Sequence, residues 1–95
     1  MNENYVNYGA LENASTVYAQ QSEKVSEALS SLLSLIGSLE SEWRNNTARA
    51  FFERFNAEYK PVLNNTIEVL DASSKYLTKY KNITMENDAS NAANL

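Results

Sequence analysis

The chain has 95 residues, enough for one domain in which burying a sufficient core unaided is difficult. A net charge of −4 argues against nucleic acid and anionic membrane surfaces, which ask for basic stripes. The lack of cysteine and histidine removes disulfides, thiol chemistry and the commonest transition-metal ligands.

Charge is unevenly placed. Residues 1–43 carry six glutamates against Lys24 alone, whereas residues 44–95 carry seven Lys or Arg against six acids. Two arms with that bias lie side by side favourably, although each exposed pair is weak. The start, MNENYVNYG, has neither a basic segment nor an apolar one, so no cleaved secretory leader is expected. The run Leu29 to Leu39 is interrupted by four serines and Gly37 and is too short and polar to span a bilayer. Four Asn-X-Ser/Thr sequons begin at Asn13, Asn45, Asn64 and Asn82. In a chain with 13 asparagines they read as chance matches.

Residues 1–9 read as an N-terminal extension, with Asn7 suited to cap the first helix. That helix is expected over residues 10–42. Apolar or small residues recur at Leu11, Ala14, Tyr18, Val25, Ala28, Leu32, Leu35 and Leu39, with Gln21 in the same series, and end at Trp43. Their steps alternate three and four, a heptad seam. Leu29, Leu33 and Ile36 widen the stripe, and a stripe so wide faces more than one partner helix. Gly37 is a soft spot whose simplest use is close approach to a neighbouring helix.

Residues 43–46 read as the turn. Asn45 or Asn46 can end the first helix in a left-handed conformation, and Asn46 or Thr47 can cap the second. The second helix is expected over residues 47–84. Its seam reads Phe51 or Phe52, Phe55, Tyr59, Val62 or Leu63, Thr66, Leu70, Ser73, Leu77 and Tyr80. Pro61 removes one backbone hydrogen bond and kinks this helix, while the periodicity reads as continuing in phase across it. Residues 85–95 are Asn- and Ala-rich and aperiodic, and read as a flexible polar tail.

A short link folds two such helices back antiparallel, with arms of roughly 45 to 57 Å at ~1.5 Å per residue. The fold class is all-α: a helical hairpin of two long antiparallel helices, dimerising into a four-helix bundle that covers the remaining stripe. A homodimer and a heterodimer with a similar small helical protein both satisfy this. The candidate interface is Leu29, Leu32, Leu33, Ile36, Leu39, Phe51, Phe52, Phe55, Leu63, Leu70 and Leu77.

No catalytic constellation is present: there is no Gly-rich phosphate loop and no nucleophile elbow. Glu23 and Glu27, one turn apart and without a histidine, read as a solvated face, and the six tyrosines as bundle-boundary residues. No enzyme, cofactor or metal is expected.

Two long helices and a mid-chain turn carrying Trp43, Arg44 and Asn45, in a chain near one hundred residues, resemble the WXG (ESAT-like) proteins of bacterial type VII secretion. Ala48, Ala50, Phe51 and Pro61 fit the same pattern, and the resemblance covers residues 10–84. It departs at Asn45, where the family has Gly, a change that a left-handed Asn would accommodate. It departs again in the tail, where the family places Asp or Glu four residues after a Tyr. Here Tyr80 is followed at that spacing by Thr84, with Glu86 and Asp88 nearby at other offsets. These four residues are the possible export tail.

The resemblance implies a secreted substrate or secretion companion, folded first in the bacterial cytoplasm and associated with virulence. Its further partners would be a secretion ATPase or a larger toxin, with no stable membrane insertion. Trp43 would be a plug over the hairpin end, a recognition handle for the machinery, or both. The alternative is a cytoplasmic structural or adaptor bundle unrelated to secretion.

Overall fold

The first arm starts at an asparagine cap. In the computed structural model, which describes the backbone of residues 5–93 and the side chains of residues 5–89, Asn7 is extended and its Oδ1 accepts the Ala10 N–H at 3.0 Å. That satisfies one donor orphaned at a helix start. Helix α1 runs Tyr8–Glu42, beginning two residues earlier than the spacing indicated. Helix α2 spans Asn46–Arg54, a π-helical turn spans Phe55–Tyr59, and helix α3 spans Lys60–Ala93. Arg54, Phe55 and Lys60 all keep right-handed helical backbone, so these three elements form one continuous second arm. The described residues are 93% helical and contain no strand. The hairpin measures 74 × 21 × 17 Å, with a radius of gyration of 21.3 Å. A compact chain of this length would have about 12 Å.

The turn is built differently from the expectation. No described non-glycine residue has a positive φ. Trp43 leaves the helix with extended backbone while its N–H still donates to Leu39 O at 2.8 Å. Asn45 is also extended and is itself the cap of α2: its Oδ1 accepts the Ala48 N–H at 2.8 Å and its carbonyl accepts Arg49 N–H at 3.0 Å. The left-handed role assigned to Asn45 or Asn46 is therefore corrected, and so is the capping role of Asn46 or Thr47.

The seam of α1 also needs correction. Its buried residues are Ser15, Ser22, Leu29 and Ile36, seven apart, and the half-buried Trp43 continues the series. The expected seam put Ala14, Gln21, Ala28 and Leu35 on that line, of which the last three are exposed. Periodicity weighted by hydrophobicity passed over the true line because two of its members are serines. Ser15 is buried because its polar atoms are paired. Its hydroxyl reaches Ser74 O at 2.9 Å, the Ser74 hydroxyl donates to Ser15 O at 2.8 Å, and Thr78 Oγ1 lies 2.7 Å from Ser15 Oγ. Donation from Ser15 to Ser74 O leaves Thr78 as the donor to Ser15 Oγ, since each hydroxyl carries one hydrogen.

The seam of the second arm shifts phase at the π turn. Ala48, Phe52 and Phe55 face α1 before the turn; after it the half-buried residues are Lys60, Leu63, Thr66, Ile67, Leu70, Ser73, Ser74, Leu77, Lys81 and Thr84. The step from Phe55 to Lys60 is one residue longer than a helical repeat allows. Of the expected seam, Tyr59 and Val62, the latter the alternative to Leu63, are 48% and 62% exposed, whereas Leu63, Thr66, Leu70, Ser73 and Leu77 are half-buried. The cause is local. Pro61 offers no N–H and its ring crowds the carbonyl of Ala57. The wide turn immediately before it, closed by Lys60 N–H donating to Phe55 O, opens that stretch of helix. A π bulge thus stands just before Pro61, where the helix was expected to be disturbed.

The core sits in the half nearer the turn, where Leu29, Ile36 and Phe55 are buried with Phe52, Leu63 and Ile67 packed against them. Gly37 lies outside it. A Cβ there would meet nothing within 4 Å, so close approach to the other arm is not its use in this chain. The second arm stays helical to Ala93, nine residues beyond the expected end at Thr84, in place of a flexible tail from residue 85. Contacts with α1 and the helix-favouring Met85, Glu86 and Ala89 account for the extension. Residues 1–4 of the expected extension and 94–95 of the expected tail lie outside the described residues.

Candidate functional site

Three features of the hairpin are exposed and chemically distinct: the tip, one long face, and the open end. At the tip Trp43 packs against Phe51 and Phe52, with ring centroids 5.7 and 5.8 Å away and tilts of 47° and 73°. Phe51 and Phe52 meet edge-on at 5.7 Å. These offset and edge geometries suit aromatic quadrupoles and add to area burial. Phe52 also packs on the buried core, so the tip is braced from within. Ala48, 1% exposed, is the tightest position among the described residues, and only a methyl group is accommodated there.

A cleft of about 410 Å³ opens beside this cluster, between the end of α1 and the start of α2. Trp43 and Phe52 supply its apolar wall, and Arg44, Arg49, Glu40 and Glu53 its rim. The rim charges are balanced, so shape and aromatic contact, not net charge, distinguish the tip. Trp43 is half-buried there, whereas Arg44 and Asn45 are exposed.

One face of the hairpin is apolar along its length. On α3, Val62, Val69, Tyr76 and Ile83 follow one another at seven-residue steps and all remain exposed. On α1, Tyr18, Leu32 and Leu35 are exposed beside the seam. The two helices enclose an open apolar groove of about 700 Å³, lined by Ala14 and Tyr18 from α1 and by Val69, Ala72, Ser73, Tyr76 and Leu77 from α3. Tyr76 stacks on Tyr80 at 6.4 Å with a 15° tilt. Exposed apolar area of this kind on a small chain marks an interaction surface.

At the open end the second arm is strapped to the first. Tyr8 O–H donates to the Asp88 carboxylate, and Lys81 Nζ lies 3.9 Å from Glu12 Oε2. The hydrogen bond to Asp88 holds the Tyr8 phenol above its ordinary pKa, with lesser contributions from desolvation and from the charges of Asp88 and Tyr80.

The residues singled out from sequence as an interface divide into three sets. Leu29, Ile36 and Phe55 are buried inside the hairpin, a correction to their placement on a partner surface. Leu39, Phe52, Leu63, Leu70 and Leu77 are half-buried between the arms, and Leu32, Leu33 and Phe51 remain exposed. Val62, an alternative seam residue, and Val69, Tyr76 and Ile83, which read from sequence as broadening the seam, form an outward line instead. Its seven-residue spacing was legible, but the phase shift that turns it outward was not. In the tail region, Tyr80, Glu86 and Asp88 are exposed and Thr84 is half-buried, all on helix α3.

Among the described residues no group of His, Cys, Asp or Glu could hold a metal ion, and no helix is long and apolar enough to cross a membrane. The sequence model of the WXG100 family, described as proteins of 100 residues with WXG, matches residues 5–89. The chain is similar to an uncharacterized protein of Clostridium acetobutylicum, with 26% identity over 82 residues, 86% of this chain and 84% of that one. No solved structure matches it significantly.

Proposed function

This chain belongs to the WXG100 family, and from that premise we propose that it is a type VII secretion substrate or secretion companion that acts by pairing its apolar face with a second helical hairpin. The family is known for small proteins associated with type VII secretion, is not enzymatic in general, and typically dimerises with helical partners. The observation that carries the reading is the family match across both arms together with a Trp43 turn left accessible between them.

In this reading the face of Tyr18, Leu32, Leu35, Val62, Val69 and Tyr76 receives the partner, a second copy or a similar small helical protein. The apolar side chains that α3 leaves in water favour such cover. The tip, with Trp43, Arg44 and Asn45, is the handle for a secretion ATPase. The segment with Tyr80, Thr84, Glu86 and Asp88 is the export tail. A larger toxin of the same pathway is a further partner. The protein folds in the bacterial cytoplasm and acts outside the cell.

Export from a type VII-competent host tests this. Trp43→Ala and truncation after Thr84 are each expected to abolish secretion while circular dichroism shows helicity largely kept. Unchanged secretion of both variants would refute it.

A further inference from the structure

Two lines of part-apolar residues run along the second arm one residue apart. Phased from Ala48, Phe52 and Phe55, an unbroken α-helix would turn Tyr59, Val62, Thr66, Ser73 and Tyr80 toward α1. The π turn inserts one residue into the repeat: Lys60, Leu63, Ile67, Ser74 and Lys81 turn toward α1, Tyr59, Val62 and Tyr80 are left exposed, and Thr66 and Ser73 stay half-buried. Leu70 and Leu77 lie close to the seam in both arrangements. Neither line has a clear advantage. The observed register packs Leu63 and Ile67 on the core and pairs Lys81 with Glu12. It also half-buries two lysines and leaves Tyr59, Val62 and Tyr80 in water. The other register reverses both lists. Even the buried hydroxyl pair has a substitute, because Ser73 stands beside Ser74 and would take its place opposite Ser15.

We propose that the π turn is a two-position register switch, deciding which line of α3 packs on α1 and which apolar line the hairpin presents to solvent. Pro61 biases the switch toward the observed position, since its ring disfavours the regular helix that the other position needs. Packed elements of this kind have discrete arrangements, and so two registers, not a continuum, are available.

Because the chain has no cysteine, introduced thiol pairs report the register. Ser15 Oγ and Ser74 Oγ lie 3.1 Å apart, so Ser15→Cys with Ser74→Cys reports the observed position. Ser15→Cys with Ser73→Cys reports the other position, and Ser15→Cys with Lys75→Cys, facing away in both, is the control. Closure under mild oxidation is read in the full chain as monomer-size product, with helicity checked by circular dichroism. With Pro61 in place the 15–74 pair closes fastest. With Pro61→Ala, the 15–73 pair is expected to close at least about tenfold faster than the control, as disulfide geometry demands facing residues. Deleting Ala57 removes the extra residue and should keep 15–74 fast and 15–73 at the control rate. A 15–73 pair no faster than the control with Pro61→Ala overturns the proposal. So does a 15–73 pair equally fast in the Ala57 deletion, which would show a loose end and not a switch.

Discussion

Asn45 occupies the motif position where the family carries glycine, and its role here is hydrogen bonding by an extended cap and not a left-handed bend. Capping preferences then set the expected effects: Asn45→Ala should destabilise by about 1 kcal/mol and Asn45→Gly by only a few tenths, measured by urea unfolding. At a left-handed residue Ala would again be the worse substitution, but Gly would be neutral or stabilising, so the sign of the Gly effect separates the two. Gly37 is free of neighbours, so Gly37→Ala should raise stability by up to about 1 kcal/mol in the same assay. The raised pKa of Tyr8 makes a further prediction. Above the ordinary phenol value of 10.0 the folded chain binds more protons than the unfolded one, so this contribution is full below that pH and fades as pH rises through the folded pKa. Tyr8→Phe should therefore show a shallower loss of stability in alkaline solution than the native chain. The cap at Asn7 and the general suitability of asparagine at the turn were legible in the sequence. Which asparagine caps, and with what backbone, depended on where Trp43 leaves α1.

At the scale of the elements, the π turn determines how the second arm is used. Its extra residue absorbs the conflict between Pro61 and a regular helix and re-phases everything downstream. Deleting Ala57 should restore the ordinary helical repeat with the present seam intact but set the Pro61 ring against a regular turn, so Tm should fall. Deleting Glu27, in the uninterrupted α1, should lower Tm by clearly more. It would rotate Ser15 and Ser22 off the seam and break the hydroxyl pairing with Ser74 and Thr78. Helix identity and length were readable from the three-four spacing because that signal is averaged over many residues. Phase was not, because serines on the buried line and a one-residue insertion each shift it by an amount hydrophobicity alone does not register. The same reason explains why the tail looked disordered: its helix rests on individual contacts such as Asp88 with Tyr8, not on an apolar repeat.

The whole molecule is a long, thin hairpin whose core is concentrated near the turn and whose open half is joined by hydroxyls and a strap. Phe55→Ala, at the centre of that small core, should cost about 3–5 kcal/mol, enough to threaten folding of the isolated chain. A face carrying Val62, Val69, Tyr76 and Ile83 in water is the strongest reason to read the hairpin as half of a larger bundle. The width of the apolar stripe is what suggests a second partner from sequence, although the residues assigned to it were partly those the hairpin keeps for itself. Light scattering across a dilution series, on the native chain and on Val69→Glu with Tyr76→Glu, tests this pairing most directly. The account predicts a mass twice the chain's 10.7 kDa at micromolar concentration, falling to 10.7 kDa in the doubly charged variant with helicity retained. A native chain that stays fully helical and monomeric throughout the series would contradict it.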